Sequence, residues 1–404
     1  MGTGIRFWSK KRRQKKMSGR KWFCCGLFWW ELKKLCGIRA LHLFVLLCIG
    51  FNTLFVTGSV YGEDKIACVR QVRDLAGSRM GADFSRQAAR LKDSKQKVWL
   101  LQQTQGARDL LDGYDTGRTA QQMIGQYRVK GWVADALERK YQRQESRIRA
   151  LARRGASMDV GAAGMTTVLF DALFAKLCRV ILAEGMLAAV LTALYLCHKE
   201  HMERTWQIVY TTKHGRQIQR EKSCAGLLYA VAAYGFLAVV SCLIFANAWQ
   251  LGGIWDTDMA TQFYNFYAMG MKLPFVPWAD FQMRSYLAAV LTLGLALVVV
   301  FYILGNVAGL LVNNGYAAFL ILLVLAALRF EAALLAGNAG NWAIYEVVLW
   351  SPVMLWWLQP LWFSDMGIHA VIPWQECVAG ALCILLCGLL LALGYRHFYR
   401  KDLA

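Results

Sequence analysis

The 404-residue chain is 57% hydrophobic, yet it carries 46 basic and 26 acidic side chains and a net charge of +20. These features coexist because the charges are grouped between long apolar runs, and Ser285 to Leu328 contains no Asp, Glu, Lys or Arg. A helix of about 20 apolar residues spans a membrane. The composition therefore excludes an ordinary soluble enzyme and a secreted disulfide scaffold.

The chain begins with a basic segment, residues 1–39, which holds twelve Lys or Arg and one acid, Glu31. Basic tails beside a membrane bind anionic headgroups, and we expect this tail to do so. Aromatic and leucine side chains alternate with charges from Trp22 to Leu35, which is typical of a helix lying in the membrane interface. The first span is predicted at 40–60, as an uncleaved anchor, because the preceding segment is too long for a signal peptide.

A soluble insertion at residues 61–165 separates the first two spans and holds twenty Lys or Arg against twelve acids. Apolar residues at helical spacing predict one amphipathic helix over 121–154. With a second helix over about 83–111, the insertion is predicted to form a helical hairpin. A structural cap fits this domain, and so does a gate or docking surface for an anionic or peptide ligand.

Five further spans are predicted after the insertion. The uncharged run of 44 residues is too long for one crossing. We expect it to turn at Asn313-Asn314-Gly315, because Asn and Gly tolerate left-handed backbone angles. The predicted spans are 166–198 (with an apolar core at 177–197), 224–249, 286–312, 316–336 and 377–395.

A proton-coupled pump needs titratable groups near the membrane midplane. The candidates are Arg179, Glu184, Arg329 and Glu331. Each is expected near the end of its span, in a snorkelling or interfacial role. If the protein is a transporter, its energy source is therefore expected to be a separate protein.

The segment between the last two spans, residues 337–376, contains no Lys or Arg. Its apolar part, 342–363, includes Glu346, Pro352 and Pro360. A seventh crossing here would move the basic C-terminal tail to the outer side. We therefore predict a re-entrant or interfacial pair of short helices, broken at the prolines. Glu346 is expected in a polar environment near the outer surface.

The distribution of Lys and Arg predicts the orientation. Twelve lie in 1–39, six in the loop 199–223 and three in the tail 396–404, whereas 337–376 has none. We therefore expect a multi-pass protein of the cell membrane with both termini in the cytoplasm. The insertion 61–165 is then outside, and its charge does not oppose this orientation because long domains cross regardless of charge.

Motifs for chemistry are lacking in the sequence. It has no phosphate-binding loop, no zinc-protease motif and no serine-hydrolase elbow. His198 and His201 are three residues apart, but Lys199 and Glu200 lie between them, which favours a solvated helix end over a metal site. We predict no catalytic residue, no metal, no cofactor and no nucleic-acid partner.

The loop 199–223 is the most informative segment. Trp206, Val209 and Tyr210 recur at i, i+3 and i+4, which predicts a short helix with one apolar face. A turn follows, and the chain then leads directly into the third span. An ordered basic loop without a partner is the simple interpretation. A helix that docks on a cytoplasmic partner and transmits force to two spans is the functional one.

This loop resembles the coupling-helix segment of type-2 ABC exporter permeases. That family commonly shows an acidic residue, Gly-Thr, an apolar stretch, a Gly-Arg turn and a lysine at the next span. The matching residues here are Glu200, Thr205, Gly215-Arg216 and Lys222. Arg204 departs from the pattern, because it stands where glycine is common. The order of interfacial helix and six spans is also similar, as is a Ser351-Pro352 pair in the broken segment.

The resemblance implies that two permease chains, identical or sister, pair around a central path. Each docks on an ABC ATP-binding subunit through this loop. The expected docking residues are Glu200, Glu203, Thr205, Trp206, Val209, Tyr210, Gly215, Arg216 and Lys222. The two glutamates would pair with basic residues of the ATPase, and the three large apolar side chains would fill its groove. Arg216 and Lys222 would bind lipid phosphates.

The predicted fold is an all-α polytopic membrane protein with six transmembrane helices, an N-terminal interfacial helix, an outer helical insertion and a re-entrant segment. The predicted function is the permease subunit of an ATP-driven exporter. A membrane-anchored sensor or scaffold, whose outer domain binds a ligand, is the alternative, although six spans favour a pathway. An intramembrane enzyme fits least, because the spans lack a paired Asp, a Ser/His pair or a metal set. Peptide, lipid, drug and polysaccharide all stay open as cargo.

Overall fold

Within the residues that it describes, the computed structural model shows six helices long and apolar enough to cross a membrane, which confirms the predicted helical, multi-pass class. The residues that the structure describes are 25–57, 111–159, 169–211, 215, 218–261, 266–268, 271–273 and 275–400, with scattered positions between 86 and 109.

Six helices are candidate spans. They are α2 (Arg39–Thr57), α5 (Phe170–Met202), α7 (Ile218–Trp249), α8 (Met283–Leu311), α9 (Gly315–Asn338) and α12 (Gln375–Arg400). The shorter helices are α1 (Cys25–Leu35), α3 (Thr116–Gln126), α4 (Trp132–Arg153), α6 (Trp206–Thr211), α10 (Trp342–Leu349) and α11 (Pro352–Trp357). A short antiparallel pair, β1 (Phe266–Ala268) and β2 (Met271–Leu273), lies between α7 and α8.

The core of the bundle is built around α5, which is the most buried span and contacts both α7 and α8. Lipid tails are as apolar as leucine, so helices in a membrane associate through close packing at small residues. A Cβ on Gly305 of α8 would lie 2.9 Å from the Cβ of Ala193 and 3.2 Å from the Cα of Val190 on α5. The absence of a side chain at Gly305 therefore allows these two backbones to approach.

The two ends of the bundle are built from different parts of the chain. At one end, which we call the loop end, Leu35 of α1 packs with Ala225 of α7. The Tyr395 hydroxyl of α12 donates to Ser223 Oγ, 2.6 Å away, at this same end. The beginning of α2 and the end of α12 thus lie together. The opposite end, which we call the cap end, carries α3, α4 and residues 339–374.

The turn between α8 and α9 lies where the sequence predicts it, but its cause is different. Asn314 has φ −116° and ψ 121°, which is an extended conformation. Its side chain accepts hydrogen bonds from the backbone N–H groups of Tyr316 and Ala317, so it caps the N-terminus of α9. Gly315 is the first residue of that helix. Helix capping, rather than left-handed angles, makes the turn.

The prediction of one helix over 121–154 is wrong, because the structure has two helices there. α3 ends at Gln126 and α4 begins at Trp132. Gly131, with φ 66°, lies in the break, in a conformation that glycine adopts readily. A helical hairpin does form, but α3 and α4 are its arms. Most of the predicted helix 83–111 lies outside the described residues.

Residues 339–374, which we call the cap, contain two short helices, α10 and α11, and two single turns of 3-10 helix. Pro352 is at the first position of α11, where the missing N–H is tolerated, and Pro360 lies in the turn Gln359–Leu361. One apolar cluster joins the cap to α4, including Leu137 of α4 together with Trp342 and Ile368 of the cap. The insertion and the cap are therefore packed together at this end of the bundle.

Candidate functional site

The loop segment forms a compact extension of α5. The backbone N–H of Thr205 donates to the carbonyl of Glu200 at 2.9 Å, and that of Val209 donates to the carbonyl of Thr205 at 3.0 Å. The ring of Trp206 lies against that of His201, with centroids 5.6 Å apart. α6 thus follows α5 after a tight turn rather than a loose linker.

Arg204 lies in that turn with φ 56°, in the left-handed region. This conformation costs roughly 1–2 kcal/mol for residues other than glycine. The departure noted in the sequence therefore occurs at a position where the backbone itself favours glycine.

Glu200 and Lys222 are brought together inside the protein. Lys222 Nζ donates to Glu200 Oε1, and both side chains are buried. This placement corrects two expected roles. Glu200 does not face a partner's basic residue, and Lys222 does not reach out to lipid phosphates. The pair instead ties the last turn of α5 to the second turn of α7.

A hydrogen-bonded network continues from this pair into two more spans. Ser223, next to Lys222 on α7, donates to Asn306 Oδ1 of α8 at 2.7 Å. The Tyr302 hydroxyl of α8 donates to the Ser223 carbonyl at 2.8 Å. Since Tyr395 of α12 also donates to Ser223, one residue joins α7 to both α8 and α12.

The other predicted docking residues are spread over the surface of the loop segment. Glu203 is exposed, with its carboxylate 3.9 Å from Lys199, and Val209 is half-buried. Gly215 has φ 47°. The Tyr210 side chain and Arg216 lie outside the described residues. Ile208, which the periodicity did not select, is 71% exposed and is a large apolar side chain on α6.

Glu346, Ser351 and Pro352, which the sequence singles out in the outer segment, all lie within the cap. Ser351 precedes α11 and Pro352 begins it. Glu346 is 1% exposed, so the expected position near the surface is wrong, although its surroundings are polar as expected. Its carboxylate accepts a hydrogen bond from Gln375 Nε2 at 3.2 Å. Burial raises the pKa of Glu346 to about 7, against the opposing effects of Gln375 and Lys140.

Lys140 is a buried cation that the sequence analysis did not select. Its Nζ donates to the carbonyl of Asp365 at 2.9 Å, to that of Ala370 at 2.9 Å, and to that of Gly367. Burial lowers its pKa to about 8, although the Asp365 and Glu346 carboxylates oppose this shift. A lysine of α4 therefore fixes the backbone of the cap.

A histidine–tyrosine pair lies beside this lysine in the cap. The Tyr345 hydroxyl and His369 Nδ1 are 2.7 Å apart and form a hydrogen bond. Burial, together with the nearby Lys140 charge, lowers the pKa of His369 to about 4. The imidazole is therefore neutral at neutral pH. Burial also raises the pKa of Asp365, and Lys140 opposes that shift.

Glu184 lies close to the middle of α5, which runs from Phe170 to Met202. The expectation that it lies near the end of its span is therefore wrong, because the apolar core is only the central part of a longer helix. Asn52 of α2 donates to Glu184 Oε2 at 2.8 Å and to Ser241 Oγ of α7 at 3.0 Å. The amide thus joins three spans through polar side chains.

The sequence contains a signal for part of the network around Lys140. Lys140 falls on the apolar stripe of α4, between Leu137 and Tyr141, so its burial follows from its position on the helix. Glu346 and His369 belong to a segment without regular periodicity. Only the folded chain shows that they meet Lys140.

Comparison with protein-family models, with curated proteins and with solved structures finds no match to this chain. Its function is therefore inferred from its own residues and geometry.

Proposed function

We propose that the protein is the membrane-spanning permease subunit of an ATP-driven exporter of the type-2 ABC kind, and that its loop end faces the cytoplasm. The observation that carries this proposal is the attachment of α6. This short amphipathic helix projects at the loop end, and a tight turn joins it to α5. The buried Glu200–Lys222 pair links the same turn to α7.

This attachment suits the transmission of force. A displacement of α6 would act on the end of α5 directly and on α7 through the ion pair. It would reach α8 and α12 through the hydrogen bonds of Ser223. A buried charge without its partner is strongly unfavourable, so the pair resists the separation of α5 from α7. The four helices would thus move as a unit when an ATP-binding partner changes shape.

The surface of α6 is proposed as the docking surface for the ATP-binding subunit. Ile208 is its exposed apolar side chain, and Glu203, in the turn before α6, supplies an exposed acid. Trp206 contributes only part of its ring, because the rest lies against His201. Apolar anchors surrounded by charges are typical of docking sites of this kind.

The features of α1 support a position of this helix in the membrane interface at the loop end. Trp29 and Trp30 are both more than half exposed, as expected for rings at a membrane interface. Lys34 lies over the Trp30 ring, 3.4 Å from its centroid, and pairs with Glu31 at 2.9 Å. In this proposal α1 lies along the cytoplasmic surface, the basic tail before it binds anionic lipid, and a second permease chain completes the path.

The proposal is tested by co-expressing the chain with its genomic neighbours and assaying the purified complex for ATPase activity. We expect an ATP-binding subunit to co-purify. The double variant Trp206→Ala/Tyr210→Ala should abolish coupling, and Ile208→Ala should weaken it, without loss of folding. Tyr316→Ala is the matched control, because Tyr316 is an exposed aromatic residue at the loop end but is not on α6.

Purification of the chain without an ATPase, or unchanged coupling in both α6 variants, would count against a permease. A signalling protein that co-purifies instead would favour a sensor or scaffold whose outer domain receives a ligand.

A further inference from the structure

A cavity of about 420 Å³ lies at the cap end, between the start of α5, the last turns of α9 and the helices α10 and α11. Most of its wall is apolar and includes Phe330 and Leu334 of α9 and Trp357 of α11. Its volume falls within the range of small-molecule sites, which is roughly 300–1,000 Å³.

The part of α5 that lines this cavity has an unusual backbone. Residues Phe170–Cys178 are π-helical, and Phe170 and Ala175 belong to the wall. π-helical backbone is rare, and the single-turn π-bulges of other proteins occur frequently at functional sites. Arg179 follows the segment directly and also lines the cavity.

Arg179 supplies a cation to the wall. Its Nη2 donates to the Trp357 carbonyl at 3.0 Å, and its guanidinium lies 4.9 Å from the centroid of the Trp357 ring. Its Nε is buried and has no hydrogen-bond partner. Asp171, an acid in the same wall, pairs with Lys176 at 2.7 Å, and its charge also acts on Arg179. Among the described residues, the Nε of the guanidinium therefore has no hydrogen-bond acceptor.

Among the described residues of the wall, the remaining polar groups add no second positive charge. His369 and Tyr345 are hydrogen-bonded to each other, and His369 is neutral at neutral pH. The Asp171 charge is offset by Lys176. The wall thus combines a mostly apolar surface with one effective positive charge, that of Arg179.

The rim of the cavity lies on the membrane-facing side of the bundle. Leu334 and Trp357 are each more than two-fifths exposed, and α9 is the least buried of the six candidate spans. An apolar chain can therefore lie along α9 and enter the cavity from the side.

We propose that this cavity binds an amphipathic anion, whose carboxylate or phosphate head pairs with Arg179 and whose apolar chain lies against α9 and α11. An anionic oxygen there would pair with the guanidinium charge of Arg179. This binding requires neither ATP nor a partner protein. Only the further step, that such an amphiphile is the cargo, rests on the proposed permease function.

The test uses the full chain, purified in maltoside detergent so that no lipid phosphate competes. A palmitate carrying a photoreactive diazirine on its chain is added, and the cross-linked peptides are identified by mass spectrometry. We expect adducts in the stretches 330–334 and 354–361. Arg179→Gln should raise the probe concentration that gives half-maximal labelling at least tenfold. Arg179→Lys should raise it less.

Arg329→Gln is the matched control, because Arg329 is an exposed arginine of α9 that is not part of the wall. It should label as the wild type does. If Arg179→Gln fails to fold, Leu334→Trp provides an independent test, since it fills the cavity and leaves the arginine in place. It should abolish labelling in the two stretches.

Competition identifies the head group. Oleate and dioleoyl phosphatidate, which carry a carboxylate and a phosphate, should both displace the probe; if only one does, the site selects that head group. Equal displacement by neutral oleyl alcohol would overturn the proposal. Labelling that persists unchanged in both Arg179→Gln and Leu334→Trp would overturn it as well. Neither result would affect the docking of α6, which is measured separately with ATP.

Discussion

Lys140 shows how one residue joins two parts of the chain that are distant in sequence. A buried ammonium group is costly unless it is paired and hydrogen-bonded. Lys140 meets both conditions, because it donates to three carbonyls of the cap and lies near the carboxylates of Asp365 and Glu346. The cost of burial is thus offset by contacts that only this arrangement of α4 and the cap provides.

Glu346 should make the stability of the protein depend on pH. Its pKa is raised from 4.5 to about 7, so between these values the folded state holds a proton that the unfolded state has released. The contribution of Glu346 to the free energy of unfolding is therefore greatest at acidic pH and declines as the pH rises from 4.5 to 7. Glu346→Gln, which cannot ionise, should match the wild type near pH 5. At pH 7.5 it should be the more stable by up to about 3 kcal/mol.

This prediction is checked by thermal unfolding monitored through tryptophan fluorescence between pH 5 and 7.5. His369, whose pKa is lowered to about 4, acts in the opposite sense below pH 6.5, so the comparison is made between variant and wild type at each pH. Glu138→Gln, an exposed acid on α4, controls for the loss of one negative charge. A difference between Glu346→Gln and wild type that stays constant with pH would show that Glu346 is ionised in the folded state.

The residues of the cap network illustrate what the sequence does not reveal. The apolar stripe of α4 was predicted from its period, and the burial of Lys140 follows from it. The partners of Lys140 come from the carbonyls of residues 365–370, more than 220 positions later. Nothing in the local sequence of either segment specifies the other, so the site could be recognised only after folding.

At the scale of elements, hydropathy was sufficient to locate the spans, because every backbone polar group of a spanning segment must be satisfied within its own helix. The residues at which the helices begin and end were less predictable. α5 starts at Phe170 as a π-helix, a feature without a composition signal. The break between α3 and α4 has one signal, Gly131, which the helical period across 121–154 concealed.

The contact between α5 and α8 should depend on Gly305. A methyl group there would meet Ala193 Cβ at 2.9 Å and the backbone at Val190 Cα at 3.2 Å, and backbone atoms cannot rotate away. We expect Gly305→Ala to destabilise the protein by about 1–3 kcal/mol, as overpacking does elsewhere. The measurement is the thermal unfolding temperature in detergent.

Gly235→Ala on α7 is the matched control, because a Cβ at Gly235 would meet no atom within 4 Å. Alanine is also the better helix former, by roughly 1 kcal/mol. The control should therefore be neutral or stabilising. If Gly305→Ala behaves like Gly235→Ala, the two spans are not held at the close distance that the structure shows.

At the scale of the whole molecule, α5 connects the two features on which the proposals rest. Its first residues line the cavity at the cap end, and its last turns carry Glu200 and lead into α6 at the loop end. A helix of its 33 residues is about 50 Å long. A shift of α5 along its axis would therefore act on both ends at once, which is a simple physical route between docking on one side of a membrane and ligand binding on the other.

This arrangement requires that the loop end and the cap end lie on opposite sides of the membrane. Alkaline phosphatase, active only outside the cytoplasm, should be active when inserted at Gly340 in the exposed turn between α9 and α10. It should be inactive when inserted at Asn313, between α8 and α9. Green fluorescent protein fused to either terminus should fluoresce, because both described ends of the chain lie at the loop end.

The reverse pattern would have a specific consequence. With the phosphatase active at Asn313 and inactive at Gly340, α6 would face away from cytoplasmic ATP, and no ATP-binding subunit would reach it. The ion pair of Glu200 and Lys222 and the cavity beside Arg179 would be unchanged, since both depend only on contacts within the chain. Orientation therefore decides between a permease and other functions, whereas the binding of an amphipathic anion is decided by the photolabelling experiment alone.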